Sequence, residues 1–180
     1  MTGRTLTLDR PIGSIQYVGL SPAPGGRLWV WWVEGSTVYA TRTNPPVTRL
    51  GAVRSLKGPG GASPTRTAGD GSDGPLDVVV NAAPGYAASA MYAARVLPGL
   101  SLRVSPASVP SARGGTVSVT VTDAGVPVPG ARVRVGAVTG TTNAAGRASV
   151  RVAAGTPRGG RAVSATAAGF FPGAGSVRVR

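Results

Sequence analysis

The run Leu28-Trp29-Val30-Trp31-Trp32-Val33 constrains this chain more than any other feature. An extended strand points alternate side chains to opposite faces. Leu28, Val30 and Trp32 therefore share one face, and Trp29, Trp31 and Val33 share the other. Both faces are apolar, so the strand must be covered from both sides, between two sheets. The run also belongs to a pattern that occurs twice. Residues 27–42 read RLWVWWVEGSTVYATR, and residues 75–95 read PLDVVVNAAPGYAASAMYAAR. Each has an apolar run, a Gly-containing turn, and a second run ending Tyr-Ala-x-Arg (Tyr39 to Arg42, and Tyr92 to Arg95). The two ends lie 53 positions apart, and the leading leucines Leu28 and Leu76 lie 48 apart.

A repeat of roughly 50 residues has the length of one propeller blade. The breakers agree with many short strands: 28 glycines and 16 prolines punctuate the 180 residues, and no long helix-period stretch occurs. Period-2 alternation and turn residues place strands near 4–8, 14–20, 27–33, 36–42, 48–56, 76–81 and 89–96. The first repeat turns at Glu34-Gly35-Ser36 and the second around Pro84-Gly85. Residues 57–75, KGPGGASPTRTAGDGSDGP, read as a loop joining the two repeats. From Ser101 onward the alternation is regular. Val117, Val119 and Val121 alternate with Ser118 and Thr120, Val133 and Val135 with Arg132 and Arg134, and Val177 and Val179 with Arg178 and Arg180. Small aliphatic residues on one face and polar ones on the other predict a two-sheet antiparallel sandwich. Turns are expected at Pro129-Gly130, Asn143 to Gly146, and Gly169 to Gly175. The boundary falls near VLPGL, giving domains 1–98 and 99–180.

Two resemblances follow from these residues. GVPVPGARVRVG, TGTTNAAGRASVRV, AVSATAAGFF and SVRV resemble a bacterial Ig-like domain of the carboxypeptidase-regulatory-like type, over residues 101–180. Asn143 stands where that family's T-T-D-A-x-G turn has Asp, and Gly169-Phe170 stands at its Gly-Tyr position. The resemblance implies a non-catalytic spacer or adhesive module of an exported protein. Over residues 12–98, GRLWVWWVEGSTVYATRTN is similar to the last blades of a sialidase-like, BNR-type β-propeller. Arg42-Thr43-Asn44-Pro45-Pro46 carries no S-x-D-x-G-x-x-W box. The expected fold is therefore all-β: two antiparallel propeller-blade-like sheets, an incomplete ring, followed by an Ig-like β-sandwich.

The residue inventory removes several chemistries. The chain has no Cys and no His, which excludes Ser/His and Cys/His nucleophilic arrangements and thiolate or imidazole metal sites. Six carboxylates remain for paired acid and base work: Asp9, Glu34, Asp70, Asp73, Asp77 and Asp123. The loop Asp70-Gly-Ser-Asp73-Gly with Asp77 has oxygen ligands but not the spacing of a calcium loop, and reads as a solvated turn. No catalytic residue, metal or cofactor is assigned. Trp29, Trp31, Trp32, Tyr39, Arg42, Tyr92 and Arg95 are the candidates for ligand contact. Their types suit sugar stacking and anion binding, while a core role for the tryptophans is the competing reading. Nineteen Lys and Arg against six Asp and Glu give a net charge of +13. The excess sits mainly after residue 100, where Asp123 is the only acid. A field of that sign attracts anionic polymers. Arg132, Arg134, Arg151, Arg178 and Arg180 are not interleaved with aromatics, so bases have no stacking platform and nucleic acid is disfavoured.

The expectation is a non-enzymatic module at the cell surface or outside the cell, a spacer or a binder of glycans or anionic wall polymers. The alternative is the C-terminal part of a sialidase-like glycoside hydrolase or other propeller enzyme, with the missing blades in the same or another chain. No apolar run is long enough to span a membrane, and the start MTGRTLTLDRPIG has no signal-peptide apolar region.

Overall fold

The structure is a computed structural model that describes residues 5–8, 13–57, 64–82 and 90–180. Those residues contain sixteen β-strands and no helix, so the chain is all-β. It divides into two compact units, 1–98 and 99–180.

The first unit holds two antiparallel sheets. Strands β1 (Ile15–Ala23), β2 (Arg27–Glu34), β3 (Thr37–Arg42) and β4 (Arg54–Lys57) form one, in that order. Strands β5 (Pro64–Asp70), β6 (Leu76–Ala82) and β7 (Ala90–Val96) form the other. Three expectations need correction. Residues 5–8, expected in a strand, form none. The strand expected over 48–56 shrinks to β4, because Asn44 organises a turn before it: its Oδ1 accepts the amides of Thr48 at 2.8 Å and Arg49 at 2.9 Å. The expected loop 57–75 contains β5. That strand is poor in bulky residues because its inward positions face tryptophan rings and have no room for more. The expected turn at Pro84-Gly85 lies outside the described residues.

The sequence repeat extends to pairing register. In each hairpin the residue after the leading leucine pairs with the terminal arginine, Trp29 with Arg42 and Asp77 with Arg95. Trp32 pairs with Tyr39, and Val80 with Tyr92. The difference in spacing lies wholly in the connections, Gly35-Ser36 in one and residues 83–89 in the other. Yet the two hairpins bury opposite faces. The first buries Trp29, Trp31 and Val33; the second buries Leu76, Val78 and Val80. In terms of the repeat, the face beginning one residue after the first leucine meets the face that contains the second leucine. The sheets thus stack front to back. Glycines make this close approach possible. Across the joint, a Cβ on Gly69 would lie 3.1 Å from the Trp31 ring and one on Gly71 2.2 Å from Trp29, while within the first sheet Gly19, the cross-strand neighbour of Trp31, lets that ring lie down over it, since a Cβ there would be 2.1 Å from it. Both indoles donate across the joint, Trp29 Nε1 to the Gly74 carbonyl at 2.9 Å and Trp31 Nε1 to Thr67 Oγ1 at 3.2 Å. Ser21 Oγ accepts the Gly71 amide at 2.8 Å.

The second unit is a two-sheet β-sandwich. One sheet centres on β10 (Gly115–Asp123), with β8 (Ser101–Ser105), β11 (Val126–Pro127) and β14 (Arg147–Val152) paired to it. The other runs β13 (Val138–Thr141), β12 (Arg132–Val135), β15 (Gly159–Thr166), β16 (Gly173–Val179) and β9 (Ser108–Val109). Only β9 joins its neighbour in parallel. The core between the sheets is built from Leu100, twelve valines and three alanines, with Leu102, Val104, Ala167 and Phe170 packed at its margin. The alternation read from the sequence accounts for this core. The turn at Asn143 is specific: its Oδ1 accepts the amides of Ala145 and Arg147, each at 3.0 Å. The preceding Thr142 is buried, accepts the Ala131 amide at 2.8 Å and donates to the Val128 carbonyl at 2.7 Å.

Candidate anion-binding faces

Because inward positions of the sandwich are Val and Ala, its polar residues are forced onto the two outer faces. On the sheet of β10, register places them in rows. Arg103 and Arg147 flank Thr120, Ser105 and Ser149 flank Ser118, and Arg151 stands beside Thr116. Neighbouring strands lie about 4.8 Å apart, so the Arg103 and Arg147 backbones are about 9.5 Å apart across Thr120. The opposite face carries Arg132 beside Thr141 and Thr166, and Arg134 beside Thr139 and Ser164. Arg132, Arg134, Ala137, Thr139, Ser164 and Thr166 line a shallow depression of about 400 Å³. Arg178 pairs with Gly160 further along this sheet. Together with Arg158 and Arg180 it lines a second depression of about 430 Å³.

The chemistry of these faces is one-sided. Arg103, Arg132, Arg134, Arg147, Arg151, Arg178 and Arg180 are all exposed. The only acidic residue of the unit, Asp123, lies in register with the inward residues of β10 and is 2 % exposed. Guanidinium donors therefore stand among hydroxyls, on a flat floor of Gly, Ala, Ser and Thr. Such a surface can donate bidentate hydrogen bonds to carboxylate, sulfate or phosphate. The sequence singled out five of these arginines. It missed Arg103 and Arg147, whose place in SLRVS and GRASVRV follows the same alternation.

The seven candidate contact residues of the first unit are not brought to one place. Trp29, Trp31 and Trp32 are 0, 4 and 2 % exposed. Trp29 and Trp31 fill the joint between the sheets. The Arg42 guanidinium carbon lies 5.8 Å from the centre of the Trp29 ring, a cation–π arrangement. Trp32 faces the other way, stacked on Tyr39 with centroids 5.6 Å apart and donating Nε1 to Glu34 Oε1 at 2.6 Å. Tyr92 packs against the core at the joint. Arg95 is on the outer face of its sheet, in a two-bond pair with Asp77, Nε to Oδ1 and Nη2 to Oδ2, each 2.7 Å. The pair holds the Asp77 carboxyl below its usual value and raises that of Arg95. Asp70, at the expected turn, accepts the Ser72 amide and hydroxyl, each at 3.0 Å. Those bonds lower its pKa, the backbone one most.

No protein-family model matches the chain, and no curated protein matches it.

Proposed function

We propose that this chain is a non-catalytic binding module for an anionic polymer, acting at the cell surface or outside the cell. The observation that carries the reading is the pair of outer sandwich faces, where every charged side chain is an arginine. A polymer bearing repeated carboxylate, sulfate or phosphate groups meets the rows of guanidinium and hydroxyl donors without meeting a carboxylate. The absence of aromatic side chains from these rows favours a sugar–acid or wall-type polymer over one read through its bases. Among the described residues, the first unit mixes its basic side chains with Glu34, Asp70, Asp73 and Asp77.

The test is binding of the full chain to heparin, to polyglutamate and to a neutral glucan across a salt series. Affinity for the anionic polymers should fall steeply with salt, and the neutral glucan should not bind. Replacing Arg132, Arg134 and Arg178 together by Ser, or Arg103, Arg147 and Arg151 together, should weaken binding by at least about tenfold. That figure takes ~0.5 kcal/mol for each exposed ionic contact. No binding at low salt, or equal binding by both triple variants and the parent, overturns the proposal.

A further inference from the structure

We propose that one end of the sandwich binds a small monocarboxylic acid with an apolar body. The starting point is Arg161. On β15 it stands in the inward row with Val163 and Ala165, paired across to Val177. Those three neighbours are each 1 % exposed. Among the described residues, Arg161 is the one strand arginine of the second unit in such a row; Arg103, Arg132, Arg134, Arg147, Arg151 and Arg178 alternate outward. A charge at the margin of a core needs a partner. Arg161 Nη2 donates to the Pro157 carbonyl at 2.7 Å, which ties the guanidinium to the β14–β15 connection. Its Nε–H is shielded from solvent and has no acceptor within the protein. No side-chain carboxylate of the unit is near. Asp123 lies eight residues along β10 from Gly115, the partner of Val152, about 27 Å away.

Arg161 lines a cavity of about 360 Å³ with Val135, Ala137, Val138, Val152 and Pro157. Both sheets contribute to it: Val135 and Val138 flank the β12–β13 turn, and Val152 ends β14. Val138 is 44 % exposed, so apolar surface stands open there. The walls are fixed by the chain's own hydrogen bonds. The Gly136 amide donates to the Ala162 carbonyl at 3.1 Å, and the Gly136 carbonyl accepts Arg134 Nε at 2.7 Å. On the other side Thr156 Oγ1 donates to the Ala153 carbonyl at 2.7 Å, and the Gly155 amide to the Ser111 carbonyl at 2.8 Å. A cavity of this size is at the small end of ligand pockets, roughly 300–1,000 Å³. A neutral apolar ligand would leave the guanidinium without a counter-charge, and a bare anion would leave the valines wet. An acid with an apolar body answers both, its carboxylate on Arg161 and its body on Val135, Val138, Val152 and Pro157.

The experiment is an NMR titration of the full chain with 4-phenylbutyrate, up to about 10 mM because a ligand of this size binds in the millimolar range. Saturable shifts should be confined to the amides of Ala137, Val138 and Ala153 and to the Arg161 Nε–H. Two controls divide the ligand: 4-phenylbutyramide keeps the apolar body without the charge, and acetate keeps the charge without the body. Each should bind at least about tenfold more weakly. Arg161→Gln should lower the affinity for the acid to that for the amide. Should that variant fail to fold, judged by circular dichroism, Val138→Glu replaces it: it sets a carboxylate at an exposed position of the wall and should weaken the acid by a similar factor. Shifts absent from the pocket overturn the proposal, as does an amide that binds as well as the acid. So does a folded variant that binds the acid like the parent. The triple replacement of Arg132, Arg134 and Arg178 should leave the acid's binding unchanged, and Arg161→Gln should leave heparin binding unchanged, so the two proposals fail separately.

Discussion

Gly19→Ala is the substitution with the sharpest expected sign. By backbone propensity alone, alanine in a strand interior should stabilise by about 0.5–1 kcal/mol relative to glycine. The ring of Trp31, its cross-strand neighbour on β2, reverses that. The new Cβ would lie 2.1 Å from Cε2 and Cζ2 of Trp31, against about 3.4 Å for an ordinary contact. The indole, 4 % exposed and itself close to Gly69, has to retreat by more than an ångström. Overpacking of a core on this scale costs about 1–3 kcal/mol. Loss of the Trp31 Nε1 bond to Thr67 adds about 1 kcal/mol. After the propensity gain is subtracted, a net loss of about 1–3 kcal/mol remains. The assay is urea unfolding followed by tryptophan fluorescence. All three tryptophans lie in the first unit, so the signal reports that unit alone. In a Trp31→Leu background the clash is gone, and Gly19→Ala should be neutral or slightly stabilising. A single variant as stable as the parent would refute the steric account, as would an equal loss in both backgrounds.

Asn143→Ala should destabilise the sandwich by about 1–2 kcal/mol, since two backbone amides lose their acceptor, while Asn143→Asp should be tolerated; far-UV circular dichroism during urea unfolding distinguishes the two. Thr142→Val removes a buried hydroxyl that serves both Ala131 and Val128, and should cost about 2–3 kcal/mol by the same measurement. The Asp77 carboxyl, held low by Arg95, should titrate below 3.8 in an NMR pH series, and Arg95→Ala should return it toward that value. Its folded pKa is depressed, so whatever the pair contributes is present above pH 3.8 and is lost as pH falls through the lower folded value.

The two hairpins and the sandwich core were legible because bulky or branched side chains mark them at a period of two. What was not legible has a common physical origin. Strand β5 reads PTRTAGD and looks like a loop, because Thr67 and Gly69 are small to make room for Trp31. The evidence of a strand there sits on its partner, not in its own residues. Which face each hairpin buries was equally hidden. Leu28 to Val33 is apolar on both sides, so alternation has no sign to read. The same blindness scattered the candidate residues. Arg42 and Arg95 hold matching places in the repeat, yet one lies against a buried indole and the other pairs with Asp77 in solvent. The sandwich arginines fared better because their alternation with valine fixes the face outright.

The valine core of the sandwich has a consequence for how it answers change. Valine has a single side-chain torsion with few permitted wells. Twelve such residues with three alanines give an interior with almost no adjustable parts. Leucine or methionine neighbours would swing into a void, but valines hold their place. Truncations here should therefore leave their cavities open and cost near the upper end of their range. The same stiffness keeps the strands in fixed register, so the spacing of the arginines outside is set by residues that never touch them.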